Sequence, residues 1–149
     1  MVSITTGGTP TVRPRAVSVS RRALAIGLVA AVLNTVLWGL GRLLGVDFVV
    51  VPRGGAPADA QTISAGIVAA MTALPVLLGS GLLAATRRAS ERWWPRLALT
   101  GLVIGMVTLA MPLAATASTG TKVFLAAMHL VTGVTWFVQV RRAITGGRP

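Results

Sequence analysis

Cysteine is absent from this sequence, and acidic residues are scarce, with three Asp and Glu against 14 Lys and Arg. Without cysteine the chain has no disulfide, no thiolate nucleophile and no Cys-ligated metal. A single histidine and three acids leave no side-chain set for a metal site, and no carboxylate pair for acid–base chemistry inside an apolar core. The sequence therefore predicts no catalytic residue, no metal and no cofactor.

Charge of either sign is also low, since 11% of residues are charged against about 25% in ordinary soluble domains. Hydrophobic residues make up 54% of the chain, and its mean hydropathy is +0.78. A soluble core cannot absorb this much apolar surface, whereas lipid can. The net charge of +11 comes from short arginine clusters between apolar runs, and these do not form a basic face with interleaved aromatics. We therefore expect the lipid bilayer as partner and no nucleic acid.

Four apolar runs are long enough to span a bilayer, which takes about 20 helical residues at ~1.5 Å each. The first run follows Arg21-Arg22 and is longer than the apolar segment of a secretory signal peptide, so we expect a retained helix. The fold class is all-α, a four-helix transmembrane bundle. Its membrane domain is residues 21–142, with helices at about 23–44, 62–86, 97–115 and 123–140.

The two ends of the chain are expected to be cytoplasmic tails, a disordered basic one at residues 1–20 and a short one at 143–149. Eleven of the 14 basic residues fall in these tails, at the helix ends beside them, and in the connection at 87–96. Because Lys and Arg accumulate in short cytoplasmic loops, this asymmetry predicts a multi-pass protein of the bacterial cytoplasmic membrane, with both termini inside.

The two helix pairs resemble each other in sequence. Residues 22–29 can be superposed on residues 96–103, residues 69–72 can be superposed on residues 126–129, and both pairs end in Arg-Arg. One interpretation is a tandem repeat of a two-helix hairpin about an axis along the membrane normal. The other is chance similarity between apolar helices.

Small residues follow one face of each predicted helix, as expected where close approach drives helix association in lipid. Two Gly-x-x-x-Gly pairs stand out as helix-packing residues: Gly41 with Gly45, and Gly101 with Gly105.

Several polar residues lie near the middle of the predicted spans, at ~1.5 Å per residue from the span ends. In hydrocarbon their hydrogen bonds must be made inside the protein, so we expect them to point inward and meet. Both His129 and Asn34 could make a structural hydrogen bond between helices. The alternatives that stay open are a proton-relay or ligand-binding role for His129 and a substrate contact for Asn34. The expected buried polar cluster is Asn34, Thr72, Thr108, His129 and Thr132.

Arg42 and Asp47 lie close together near the outer end of the first helix. We expect an ion pair, with the Arg42 side chain extended toward the interface. The alternative is that Arg42 binds an anionic group from outside.

Residues 23–50 and 125–142 resemble a group of small actinobacterial four-helix membrane proteins classed as a domain of unknown function (6069-like). The shared features are Asn34, the run Gly45-Val46-Asp47-Phe48 and the run Met128-His129-Leu130, and the resemblance covers most of residues 21–142. It implies the four-helix architecture and brings no activity, cofactor or partner.

Three hypotheses for function follow. The leading one is a structural or accessory membrane component, associating with itself through a glycine face or with another membrane protein. The second is a small transporter or channel subunit, suggested by Pro75, Pro112 and the polar residues at mid-depth. The third is a membrane enzyme, or a binder of an apolar ligand, that uses His129 and Asn34.

Overall fold

A computed structural model describes residues 16–87 and 91–145 of the chain. The described part is mostly helical, and four of its helices are long and apolar enough to cross a membrane, which confirms the predicted number. The candidate spans are Ala25–Leu43, Ala65–Leu83, Trp94–Ala114 and Thr119–Arg142.

The helices are joined at one end by short strands. In chain order the elements are α1 (Ala16–Leu43), β1 (Val49–Val51), β2 (Gln61–Thr62), α2 (Ala65–Arg87), α3 (Trp94–Thr108), α4 (Ala110–Ala114), β3 (Thr116–Ala117) and α5 (Thr119–Thr145). Single turns of 3-10 helix, Pro57–Asp59 and Glu91–Trp93, precede β2 and α3. We call α1 with α2 the first hairpin, and α3 to α5 the second hairpin.

The first and last helices of the chain, α1 and α5, are longer than their apolar runs predict. α1 begins at Ala16, inside the predicted N-terminal tail, and α5 continues to Thr145, inside the predicted C-terminal tail. No proline or glycine occurs between Pro14 and Gly27, so nothing in the sequence prevents the helix from extending beyond its apolar part. The rest of the two predicted tails, residues 1–15 and 146–149, lies outside the described residues.

The third predicted helix is divided at Leu109 into α3 and α4. Pro112 has no N–H to donate to the carbonyl of Thr108, four residues earlier, so one helical hydrogen bond is missing at this point. The Thr108 hydroxyl donates to the carbonyl of Gly105 at 3.0 Å in the same turn. The proline therefore sets the position of the break.

α1 ends at a glycine. Gly45 has φ +81°, in the left-handed region, and the N–H of Val46 donates to the carbonyl of Gly41 at 2.9 Å. This is the usual way in which a glycine just past the last turn satisfies the free carbonyls of a helix. Gly45 therefore acts in ending α1, and a Cβ placed on it would meet no atom within 4 Å.

The connections at this end form a small antiparallel sheet with the order β2-β1-β3. Val50 of β1 lies opposite Gln61 on one side and Ala117 on the other. Because β1 follows α1, β2 precedes α2, and β3 lies between α4 and α5, the sheet ties the loops of both hairpins together. We call this the sheet end of the molecule.

Packing places α1 and α5 at the centre. α1 packs against α2 and α5, α3 packs against α5, and α2 and α3 touch only briefly. One buried cluster lies around Trp136, and a second lies around Phe48, at the sheet end.

The outer surface of the helices is apolar, unlike that of a soluble protein, although several polar groups are buried. Leu28 is 66% exposed and Met71 is 71% exposed, whereas Asn34 is 1% exposed. A soluble domain rarely exposes apolar side chains over such continuous surfaces. The interior is mainly apolar, and the buried polar groups Asn34 and Thr72 lie within it.

Candidate functional site

The amide of Asn34 is the centre of the buried polar contacts. Its Nδ2 donates to the hydroxyl oxygen of Thr72 at 2.9 Å, to that of Thr132 at 2.8 Å and toward the carbonyl of Met128 at 3.2 Å. Asn34 lies at the midpoint of the span Ala25–Leu43, and its partners are on α2 and α5. One side chain of α1 therefore links three helices.

The two threonines that bind Asn34 also bond their own helices. Thr72 donates its proton to the carbonyl of Val68 at 2.7 Å, and Thr132 donates to the carbonyl of Met128 at 2.8 Å. A hydroxyl has one proton and two lone pairs, so each threonine accepts from Asn34 while it donates to the main chain.

Thr108 and His129 form a second polar contact, between α3 and α5. The Thr108 hydroxyl lies 3.3 Å from Nδ1 of His129, and the histidine side chain is half-buried. His129 follows Met128, whose carbonyl lies beside Asn34, so the two contacts meet on α5 at similar depth. We call the set Thr72, Asn34, Thr132, His129 and Thr108 the polar belt; it crosses the helices in the order α2, α1, α5, α3.

The structure thus brings the five predicted polar residues into two groups, each held by hydrogen bonds or polar contacts among its own members. Asn34, Thr72 and Thr132 form one group, and Thr108 and His129 form the other. Depth along each helix indicated which residues could meet. It could not indicate that α1, and not α3, lies against the Thr132 face of α5.

Three of the four predicted packing glycines lie at contacts within the chain. A Cβ on Gly105 would lie 2.9 Å from the Cα of Gly133, so the backbones of α3 and α5 nearly touch there. A Cβ on Gly101 would overlap the indole of Trp136, and one on Gly41 would lie 2.6 Å from the ring of Phe48. Gly45, as described above, ends α1.

Trp136 is a central contact that sequence analysis did not single out as such. Its indole is 7% exposed, lies over Gly101 of α3 and over Gly79 of α2, and donates from Nε1 to the carbonyl of Leu97 at 3.2 Å. The signal was present in the spacing of Trp136 from His129 and Thr132, on the same face of the helix.

At the sheet end, Asp47 binds hydroxyls and Arg42 binds main-chain oxygens. Thr121 and Ser118 donate to Oδ1 of Asp47 at 2.9 and 3.2 Å. Nη1 of Arg42 donates to the carbonyls of Val46 and Asp47, both at 3.3 Å. The two residues are neighbours, as expected, but the guanidinium lies at the carbonyl of Asp47 and not at its carboxylate, because that carboxylate faces the start of α5.

These hydrogen bonds lower the pKa of Asp47 below its ordinary value of 3.8. The largest cause is the hydroxyl of Thr121, followed by the N–H of Val49, and partial desolvation opposes them. Ser118 also accepts from the N–H of Thr121 at 3.3 Å, at the first turn of α5. Asp47 thus brings a negative charge to a helix N-terminus, where the dipole favours it.

Phe48, next to Asp47, is a second residue whose importance the sequence did not indicate. Its side chain is fully buried although its φ is +53°, an uncommon value for a non-glycine residue. The ring lies 6.1 Å from that of Trp38 and 6.0 Å from that of Phe124, between centroids. The indole of Trp38 donates to the carbonyl of Ile63 at 2.9 Å, so this cluster holds the sheet end onto the helices.

Within residues 16–87 and 91–145, no group of three His, Cys, Asp or Glu side chains could hold a metal ion. What the polar belt offers chemically is the amide of Asn34, the imidazole of His129 and three threonine hydroxyls inside an apolar environment. They can donate and accept hydrogen bonds between helices, and they can bind neutral polar groups.

Comparison with known proteins gives one result. The chain matches the Family of unknown function (DUF6069) over residues 14–146, which includes all four candidate spans. No curated protein and no solved structure matches it. Since the match covers most of the sequence, the chain belongs to this family of unknown function.

Proposed function

We propose that this chain is a four-helix bundle of the cytoplasmic membrane, with both termini in the cytoplasm, acting as a structural or accessory component. The observation that carries the proposal is the apolar outer surface, with Leu28 and Met71 exposed while the polar Asn34 and Thr72 are buried. Water would stabilise the opposite arrangement. In hydrocarbon the polar groups must bond one another, and apolar side chains can face outward at no cost.

The orientation is supported by the arginines and by the sheet. The sheet gathers the loops of both hairpins, so the beginning of α1 and the end of α5 belong to the opposite end. The basic positions concentrate at that opposite end, including Arg96, whose guanidinium lies 4.8 Å above the ring centre of Trp93. Arginine beside tryptophan is typical of the membrane–water interface on the cytoplasmic side.

The absence of cysteine makes the topology directly testable. Single cysteines are introduced in Ala58→Cys, at an exposed position of the sheet end, and in Ser90→Cys, in the basic connection. We expect a membrane-impermeant maleimide to label the first variant in intact cells and the second only after permeabilisation. Labelling of Ser90→Cys in intact cells, or of neither variant after permeabilisation, contradicts the topology.

The hairpin repeat is part of the proposal, and the hydrogen bonds support it. Superposing residues 22–29 on 96–103 and continuing along the helix pairs Asn34 with Thr108. Superposing residues 69–72 on 126–129 pairs Thr72 with His129. Asn34 bonds Thr72, and Thr108 contacts His129, so paired positions make equivalent contacts in the two hairpins.

The accessory role is supported by the polar belt, because its side chains form hydrogen bonds within the chain. Thr72 and Thr132 both accept hydrogen bonds from Asn34, so the amide holds the fold together. Such a protein acts by binding a second copy or another membrane protein. Crosslinking in native membranes, followed by native mass spectrometry, should give species heavier than the 15.3 kDa monomer. A monomer carrying only lipid contradicts this role.

A second candidate, binding of an apolar ligand, is favoured by His129. Its Nδ1 contacts Thr108, its Nε2 bonds none of the described residues, and the ring is half-buried at mid-depth. Because His129 is the only histidine, ring ¹⁵N labelling gives one pair of signals. These signals should differ between nanodiscs of pure phosphatidylcholine and nanodiscs containing the native lipid extract. Identical signals in both remove this candidate.

A further inference from the structure

The side-chain oxygen of Asn34 is a buried acceptor to which the described residues present no donor. Asn34 is 1% exposed, and its Oδ1 has no hydrogen-bond partner among the described residues. Its Nδ2, in contrast, is surrounded by the oxygens of Thr72, Thr132 and Met128. The Nδ2 end of the amide is thus fully hydrogen-bonded, whereas the Oδ1 end has no hydrogen-bond donor among the described residues.

The neighbouring groups determine which end of the Asn34 amide is Oδ1 and which is Nδ2. Met128 offers a carbonyl, which can only accept. The hydroxyls of Thr72 and Thr132 have each given their single proton to a main-chain carbonyl, at 2.7 and 2.8 Å. Turning the amide over would place Oδ1 against the Met128 carbonyl, which cannot donate, and would leave both protons of Nδ2 without partners. The oxygen therefore faces away from the three acceptors.

A side-chain carbonyl without a hydrogen-bond partner is energetically unfavourable at this depth. Asn34 lies nine residues from either end of the span Ala25–Leu43, or ~14 Å at ~1.5 Å per residue, so interfacial water is not at hand. Buried polar groups in proteins almost always find a partner, and this requirement is strongest in hydrocarbon. No described residue supplies the missing donor, which points to a partner outside the chain.

We propose that Oδ1 of Asn34 binds a neutral hydroxyl group supplied by another molecule. A charged donor such as an ammonium group would carry its charge to the middle of the membrane, which is unfavourable. Two sources share the required chemistry, a water molecule enclosed between the helices and the hydroxyl of an apolar alcohol entering from the lipid. The inference goes beyond the proposed function and does not depend on which end of the chain is cytoplasmic.

Asn34 is the only asparagine in the sequence, so one isotope label reports on this atom alone. The full-length chain is prepared with ¹³Cγ-asparagine in phosphatidylcholine nanodiscs. We expect the Asn34 C=O stretch, in isotope-edited infrared spectra, at the lower frequency of a hydrogen-bonded carbonyl. The variant Ala58→Asn, at an exposed position, adds a water-bonded reference signal to the same spectrum.

The two sources are separated by two further measurements. Magnetisation transfer from water protons to the Asn34 Cγ supports enclosed water. A shift of the C=O stretch on adding phytol, but not on adding the matched hydrocarbon phytane, supports an apolar alcohol. A stretch at the frequency of a free carbonyl, without water transfer and unchanged by phytol, overturns the proposal. Since every measurement uses the native Asn34, none depends on a variant of that residue folding.

Discussion

The two hairpins each have a polar contact between helices at similar depth, but they differ in what accompanies it. In the first hairpin, the amide of Asn34 bonds Thr72 across the helix pair. In the second, Gly105 and Gly133 bring the backbones of α3 and α5 close together, and Thr108 contacts His129 beside them. The connections differ as well, because residues 44–64 of the first hairpin contain β1 and β2, whereas β3 alone joins α4 to α5.

This difference shows how two contributions combine in lipid. A hydrogen bond between membrane helices contributes only ~0.6 kcal/mol on average, and close backbone packing adds many small dispersion contacts. The first hairpin relies on a buried amide and on a folded loop that packs onto it. The second relies on glycine contacts. Single-site variants in both hairpins, and one pH series, separate these contributions.

The largest effect is expected at the folded loop of the first hairpin. Phe48→Ala removes a fully buried ring between Gly41 and Phe124, and the cavity should cost about 3–5 kcal/mol of unfolding free energy. Denaturation by sodium dodecyl sulfate in mixed micelles measures this value. The control Leu44→Ala, at a side chain 75% exposed in the same loop, should change it by less than ~0.5 kcal/mol. Equal effects would mean that the Phe48 cluster is unimportant.

The next effect is expected at the glycine contact of the second hairpin. Gly105→Ala places a methyl group 2.9 Å from the Cα of Gly133, so the helix backbones must separate, at a cost of about 1–3 kcal/mol. Gly81→Ala is the matched control, because a Cβ on Gly81 of α2 meets nothing within 4 Å. The control should be neutral or stabilising by up to ~1 kcal/mol, since alanine favours the helix. A Gly105 variant as stable as the control contradicts the contact.

A smaller effect is expected for the polar contact of the second hairpin. Thr108→Val keeps the shape of the side chain and removes its hydroxyl, so the loss should be ~0.6 kcal/mol. The ring ¹⁵N signals of His129 should shift in the same variant, because the partner of Nδ1 is lost. If those signals do not move, Thr108 and His129 are not in contact in the membrane.

The smallest effect is expected from acid at the sheet end. The pKa of Asp47 is lowered in the folded protein, so its stabilising contribution is present above 3.8 and is lost as the pH falls through the lowered value. The stability difference between the native chain and Asp47→Asn should therefore shrink in this acidic range. A difference that stays constant from pH 6 to pH 2 would exclude a role for the carboxylate charge.

The number of membrane spans was predictable because an apolar run long enough for the bilayer has few alternatives. Which polar residues meet was predictable in part, because depth along a helix follows from counting. The order in which helices pack does not follow from counting, so the pairing of Asn34 with Thr132 required the structure.

The sheet end was the least predictable region. Its strands are two or three residues long, and β1 pairs with Thr116–Ala117, which is distant in sequence. Gly45 has the spacing of a packing glycine but lies just past the end of α1, where its left-handed φ matters instead. The left-handed φ of Phe48 has no sequence signal, because phenylalanine rarely adopts it.

The central claim is that the amide of Asn34 joins the two hairpins inside the membrane, through Thr132. A double-mutant cycle of Asn34→Leu and Thr132→Val, measured as unfolding free energy in a bilayer, tests it most directly. We predict a coupling of about 0.6–1.7 kcal/mol for this pair, and none for Asn34→Leu with Thr108→Val. Zero coupling between Asn34 and Thr132 would contradict the account.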